Sequence, residues 1–245
     1  MDLLAQSVAD RREKSMTQNR FWNFLCDVEA AVVLFLFILS FSVTFTLNFR
    51  PLYYMDIELL EIEERSGIPK EEIKENYDVL IDYNSMFNDG ELSFPTLAMS
   101  ETGKIHFEEV KDIFTGFQKM AVVTAILGVV AVFENRKNRP KRYLKYTGVV
   151  TILIPALLGA AMAVNWDKAF VIFHKIAFDN DYWIFDAKTD PVITILPDTF
   201  FLHCAAMIIG LVMAGSVLCF VLYAISRRKL QEPEGLTKKV LEKNE

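Results

Sequence analysis

The chain has 245 residues, 52% of them hydrophobic, with 20 phenylalanines, 24% charged residues and a formal net charge of −6. Its mean hydropathy is positive, at +0.24, yet the apolar residues fall in blocks separated by highly charged stretches. That pattern argues against one evenly mixed soluble domain and points to lipid-facing helices joined by polar segments. The three cysteines, Cys26, Cys204 and Cys219, lie in or beside apolar blocks, so neither a disulfide framework nor a paired-cysteine metal motif is available.

Met1 to Arg20 is polar and carries four basic residues, and no small-residue cleavage motif follows the apolar block that begins near Phe21. A retained anchor is expected there rather than a cleaved signal peptide. Val28 to Asn48 supplies 21 residues with Glu29 as the only charge. At ~1.5 Å per residue this crosses the ~30 Å hydrocarbon core once.

The segment from Phe49 to Asp112 holds 16 acidic against 6 basic residues. Glu58 to Glu64 reads as helical and is stopped at Ser66-Gly67-Ile68-Pro69. A further helix from Lys70 to about Asn84 follows, since Pro69 suits a helix start and Glu71 and Glu72 complement the dipole. It aligns Ile73, Tyr77, Leu80 and Ile81 on one face. After a turn at Asn88-Asp89-Gly90, Leu92 to Met99 and Lys104 to Phe107 read as a short hairpin around Ser100 to Gly103. His106 is then expected in a polar loop beside open solvent.

Met120 to Phe133 gives only 14 uncharged residues, or ~21 Å of helix, so the second span must begin near Ile113. This draws Lys119 into the outer part of the membrane, where an ionisable group is a functional candidate unless its long stem merely lets the charge reach the interface. Asn135 to Lys145 then carries six basic residues. Tyr146 to Asn165, with Pro155 as an expected kink, is the third span, and Thr199 to Ser226, followed by Arg227, Arg228 and Lys229, is the fourth. Ala156, Gly159, Ala160 and Ala163 on one span and Ala206, Gly210 and Ala214 on the other form small-residue stripes that permit close helix contact.

The expected fold is therefore a polytopic α-helical membrane protein with four transmembrane helices and a small mixed α/β extracytoplasmic cap. Residues 28–48, 113–133, 146–165 and 199–226 are the spans; 1–27, 134–145 and 227–245 are cytoplasmic by the excess of basic residues; 49–112 and 166–198 lie outside. The second outer segment carries His174, Trp183 and the carboxylates Asp179, Asp181, Asp186 and Asp190. Both polar-segment histidines, His106 and His174, fall on one side and can share a site. His203, four residues into the last span, is expected to pack or to bond a carbonyl.

No Walker loop, dinucleotide fingerprint, zinc-protease helix or serine-hydrolase elbow is present. The string His106-Phe107-Glu108-Glu109-Val110-Lys111, together with Phe173-His174, Phe178, Asn180-Asp181, Trp183, Asp186, Asp190, Pro197 and Phe200-Phe201, resembles the lipoprotein intramolecular transacylase family, Lit. The pattern departs from that family at Glu109 in place of Asp, Ala187 in place of Pro and Asp198 in place of Glu; no histidine is lost. The resemblance implies four spans and an enzyme that moves the sn-2 acyl chain of a bacterial lipoprotein's S-diacylglyceryl-cysteine onto its α-amino group.

Under that resemblance His106 is the expected general base. His174 would orient the substrate or stabilise the oxyanion, with Asp181 or Asp179 fixing its tautomer, and Lys119, Asn180 and Trp183 in support. The nucleophile is the substrate's own amine, so no serine or cysteine is required. The expected partners are a diacylated lipoprotein and membrane lipids; no cofactor, metal or nucleic acid is expected. Two other classes fit the composition: a non-enzymatic membrane sensor or assembly protein whose acidic outer cap binds a partner, and a transporter. The second is disfavoured because internal inverted repeats are not visible and the spans lack mid-membrane charge.

Overall fold

The computed structural model describes residues 2–134 and 141–241; residues 135–140, most of the basic loop between the second and third spans, lie outside the described residues. Long apolar runs without internal breakers fold as long helices, since in lipid every backbone polar group must be satisfied within its own segment. Four helices, α1 (Asp2–Asn48), α5 (Glu101–Glu134), α6 (Arg142–Val164) and α9 (Asp198–Leu241), contain stretches long and apolar enough to cross a membrane. Helix α1 packs on α5, α6 and α9, and α6 packs on α9.

Of the expected stripes only Gly159 faces a neighbouring span, where a Cβ would stand 3.7 Å from Ile209 Cδ1. Ala156, Ala160, Ala163, Ala206, Gly210 and Ala214 are exposed on the bundle surface. Close approach occurs instead where a Cβ on Gly148 would meet the Phe220 ring at 2.9 Å and one on Gly215 would meet Ile38 Cγ2 at 2.8 Å. Buried hydroxyls reinforce it: Ser216 donates across the interface to the Gly148 carbonyl at 2.7 Å, and Thr147 and Thr151 bond back to carbonyls of their own helix. Composition identified small residues correctly but not which helix face they occupy.

At the end of the bundle where α1 stops and α5 begins sits a cap of short helices, α2 (Arg50–Leu59), α3 (Ile62–Ser66), α4 (Lys70–Tyr83), α7 (Trp166–Ala177) and α8 (Val192–Ile195). Gly67 closes α3 at φ 69°, a left-handed conformation that glycine adopts without strain. The α4 face of Ile73, Tyr77, Leu80 and Ile81 is buried. Tyr77 stacks on Tyr53, ring centroids 3.7 Å apart, with Phe200 of α9 against the edge of both. Two bonds over long sequence separations tie α2 to α8 and α9: Tyr53 Oη donates to the Ile195 carbonyl at 2.6 Å, and His203 Nδ1 donates to the buried carboxylate of Asp56 at 2.9 Å. His203 thus bonds a carboxylate rather than a carbonyl.

The expected β component of the cap is absent: among the described residues no strand occurs. Leu92 and Phe94 are buried in the cap core, which accounts for the alternation that reads as a strand, but residues 91–100 form no ladder. Ser100 to Gly103, read as a hairpin turn, begins α5 instead. Ser100 Oγ accepts from the Gly103 amide at 3.0 Å, a serine N-cap bond. The Ser100 amide in turn donates to Asp190 Oδ1 at 2.8 Å. His106 consequently stands on the second turn of a long helix, only 6% exposed, not in an open loop.

A Cβ on Gly103 would overlap Asp190 Oδ1 and stand 3.3 Å from Phe185 Cε1. Gly103→Ala should therefore push α5 off its cap, destabilising the fold by about 1–3 kcal/mol as overpacked sites do. The check is thermal unfolding in detergent, with a lowered midpoint expected.

Candidate active site

Helix periodicity and one sharp reversal bring the two histidines together. Along α5, Gly103, His106 and Phe107 point inward and are buried. The chain leaves the third span at Asn165, whose extended backbone ends α6 and whose side chain accepts from the Lys168 amide at 2.8 Å to start α7. Helix α7, within the second polar segment, carries Phe170 and His174 one turn apart. Its apolar side chains Ile172, Phe173 and Ile176 remain exposed, the disposition of a helix lying in a membrane interface.

The imidazoles of His106 and His174 face each other with ring centroids 6.3 Å apart. Aromatic rings surround them. Phe178 and Phe185 stand at 4.7 and 5.4 Å from His106, while Phe170 and Trp183 stand at 4.1 and 4.8 Å from His174. Such packing fixes ring orientation and thins the water around both bases.

The tautomer of His174 is set by its own helix. Nδ1–H donates to the Phe170 carbonyl at 2.8 Å, which leaves Nε2 with a free lone pair. Asp179 and Asp181, the expected tautomer partners, are exposed, and among the described residues neither bonds His174. Burial draws the His174 imidazole below its ordinary value, with the Phe170 carbonyl opposing that drop.

Several polar atoms at the site are buried without a partner, among them His106 Nδ1, Trp183 Nε1 and Glu109 Oε2. Asn180 donates from Nδ2 to the other carboxylate oxygen, Glu109 Oε1, at 2.8 Å, so it links the second polar segment to α5. Orphaned buried polar atoms are uncommon in folded proteins and concentrate where a ligand completes the bonding. Lys119 does not join this group: it is exposed, ~20 Å further along α5 than His106 and turned ~140° around the helix. The span-length argument gives its depth but not its azimuth. Among the described residues no set of three or more His, Cys, Asp or Glu side chains converges as a metal centre requires.

The sequence reading places Glu109 only within a motif. What singles it out is its position three residues after His106, hence on the same helix face, a relation visible only once this stretch is known to be helical.

Comparison with known proteins agrees with this geometry. The chain is similar to the solved in meso structure of the membrane integral lipoprotein intramolecular transacylase Lit from Bacillus cereus, at 36% identity and a TM-score of 0.84, covering 86% of this chain and 99% of that one. A structure of the same Bacillus cereus protein with a histidine replaced by arginine matches at 35% identity and a TM-score of 0.81, covering 91% and 99%. An uncharacterized protein of Aquifex aeolicus is 29% identical over 144 residues, 56% of this chain; the chain spans 65% of that relative's length. The family model for lipoprotein intramolecular transacylase Lit matches residues 28–201, and the chain belongs to that family.

Proposed function

We propose that this protein transfers the sn-2 acyl chain of a lipoprotein's S-diacylglyceryl-cysteine to the α-amino group of the same cysteine, giving the lyso-form lipoprotein. The observation that carries this reading is the histidine pair itself: two imidazoles 6.3 Å apart, with no serine, threonine or cysteine bonded to either among the described residues. Acyl transfer by such a site relies on a nucleophile that arrives with the substrate.

An α-amine of pKa ~7.7–8.0 is mostly protonated at neutral pH and must lose a proton to attack. His106 acts as the base. The nitrogen then bonds to the ester carbonyl carbon, and the carbonyl electron pair moves to oxygen. His174, with Nδ1–H committed to the Phe170 carbonyl, presents the Nε2 lone pair to the substrate and orients it by accepting from the incoming nitrogen. The carbon–oxygen bond to glycerol breaks as the glyceryl oxygen takes the proton held by His106, and the freed His106 accepts the nitrogen's second proton and passes it to solvent.

Amine and ester belong to one molecule, so positioning supplies much of the acceleration; effective molarities for such reactions reach on the order of 10⁵ M. The aromatic surround excludes water that would otherwise hydrolyse the ester. Asn180 and Trp183 hold the second polar segment against α5 and His174.

The excess of basic residues in the N-terminal segment, in the loop between the second and third spans and after the fourth span supports an extracytoplasmic side for the histidines, in a bacterial cell membrane. Asp89→Cys, in a background without the native cysteines, should react with an impermeant maleimide in intact cells. Labelling only after permeabilisation would reverse the orientation.

His106→Gln should lower conversion by the ~10² to 10⁴ typical of a lost general base. Raising the pH through about 8 increases the neutral fraction of the amine, so the residual rate of this variant should partly recover. His174→Gln should be slow with weaker recovery, because deprotonating the amine does not replace a contact that orients the substrate. Burial keeps His174 neutral below its usual range, so the wild-type rate should rise with pH along the titration of the amine rather than near ~6.5. Mass spectrometry of a lipoprotein N-terminal peptide reads the outcome: the acyl chain moves from glycerol to nitrogen at constant total mass. Wild-type rates in both variants would remove the histidines from the mechanism.

A further inference from the structure

We propose that Glu109 is the counter-charge that receives the substrate's α-ammonium group, making this carboxylate the element that selects lipoproteins with a free amino terminus. The inference rests on the transacylase reading and deepens it.

Glu109 lies one helical turn beyond His106 on α5, and side chains three apart on a helix are neighbours. Its two oxygens are used unequally. Oε1 accepts from Asn180 Nδ2 at 2.8 Å, which fixes the orientation of the carboxylate; Oε2 is buried with no partner. A carboxylate serving only to join α5 to the second polar segment is already satisfied through Oε1 and has no reason to keep a second oxygen desolvated and empty. The chain's own nearby cations are committed elsewhere. Lys104 pairs with Glu91 at 2.9 Å, and Lys111 lies over the Tyr83 ring, 4.1 Å from its centroid. Among the described residues Glu109 has no ion pair. A carboxylate oxygen shielded from water without a donor or counter-charge is costly unless the ligand supplies one.

The substrate supplies one. An α-ammonium group offers three N–H donors, of which Glu109 Oε2 takes one while the adjacent base, His106, takes the proton that must leave. The carboxylate itself neither gains nor loses a proton. Its charge acts twice, since the nitrogen is cationic on arrival and cationic again once it has bonded to the carbonyl carbon, before its second proton departs. A lipoprotein already acylated on nitrogen presents neither charge nor sufficient donors and is rejected.

The test uses the full-length protein in detergent and two non-reactive probes, a dialkyl-ether glyceryl-cysteinyl peptide and its desamino counterpart in which hydrogen replaces the α-amine. Wild-type protein should bind the amine probe about 10- to 100-fold more tightly, the range for a charge-assisted hydrogen bond in a buried site. Glu109→Gln, which keeps the acceptor for Asn180 but removes the charge, should bring the two probes to near-equal affinity. His106→Gln should retain the preference despite its lost turnover, which a general loosening of the site would not produce. Equal wild-type affinities, or an undiminished preference in Glu109→Gln, overturn the proposal. If thermal unfolding shows that Glu109→Gln does not fold, Glu109→Asp replaces it: withdrawing the charge by one methylene should reduce the preference, and an unchanged preference overturns the proposal. Turnover of the authentic diacyl substrate by wild-type protein separates the two readings. Absence of transfer removes the transacylase assignment, whereas transfer without amine preference removes only the role of Glu109.

Discussion

The fold of the site depends on one carboxylate. Asp190 is 2% exposed; it accepts from the Ser100 amide through Oδ1 and from Thr189 Oγ1 at 2.7 Å through Oδ2. Those bonds anchor the amino end of α5 to the second polar segment. Anion charge is favourable at a helix amino terminus, where backbone N–H groups are unsatisfied. The missing side chain of Gly103 leaves room for the carboxylate to come in. Because α5 is long and stiff, holding its first turn holds the azimuth of everything on the second. His106 is therefore oriented by a residue 84 positions later in the chain.

Around this anchor the aromatic residues do two jobs at once. Phe107 and Phe185 stack with centroids 5.5 Å apart, so the ring that borders His106 also belongs to the cap core. Phe170 gives His174 both a neighbouring ring and the carbonyl that sets its tautomer. The two histidines are thus embedded in the packing rather than displayed on it, which limits the positions their rings can occupy and lowers the local water content. Two uncharged imidazoles suit such a place better than two carboxylates would, since burying charge without a partner is far more expensive than burying a neutral ring.

The four apolar runs, the cap's α4 face and the histidine pair could be read from sequence because each rests on local pattern or on a recognisable motif. The start of α5 could not. Ser-Glu-Thr-Gly suits a turn as well as a serine N-cap, and the deciding bond comes from Asp190. Leu92 and Phe94 alternate with polar residues for reasons of cap packing, and that alternation imitates a strand. From this one error followed the placement of His106 near open solvent. It also obscured the relation between His106 and Glu109, which are close only on a helix. The partner of His174 was misjudged for a similar reason: carboxylates abound in its segment, but a carbonyl four residues earlier is available only if the segment is helical. Charge counting put Lys119 near the boundary and could not say which way it faces.

The bonds from Tyr53 to Ile195 and from Asp56 to His203 join parts of the chain 142 and 147 residues apart. A ribosome delivers α2 and the amino-terminal half of the site long before α8 and α9 exist. Until the last span enters the bilayer, Asp56 lacks its imidazole and the Tyr53–Tyr77 stack lacks the Phe200 ring at its edge. The cap core therefore closes only when the final helix is in place, so its last packing step is coupled to completion of membrane insertion.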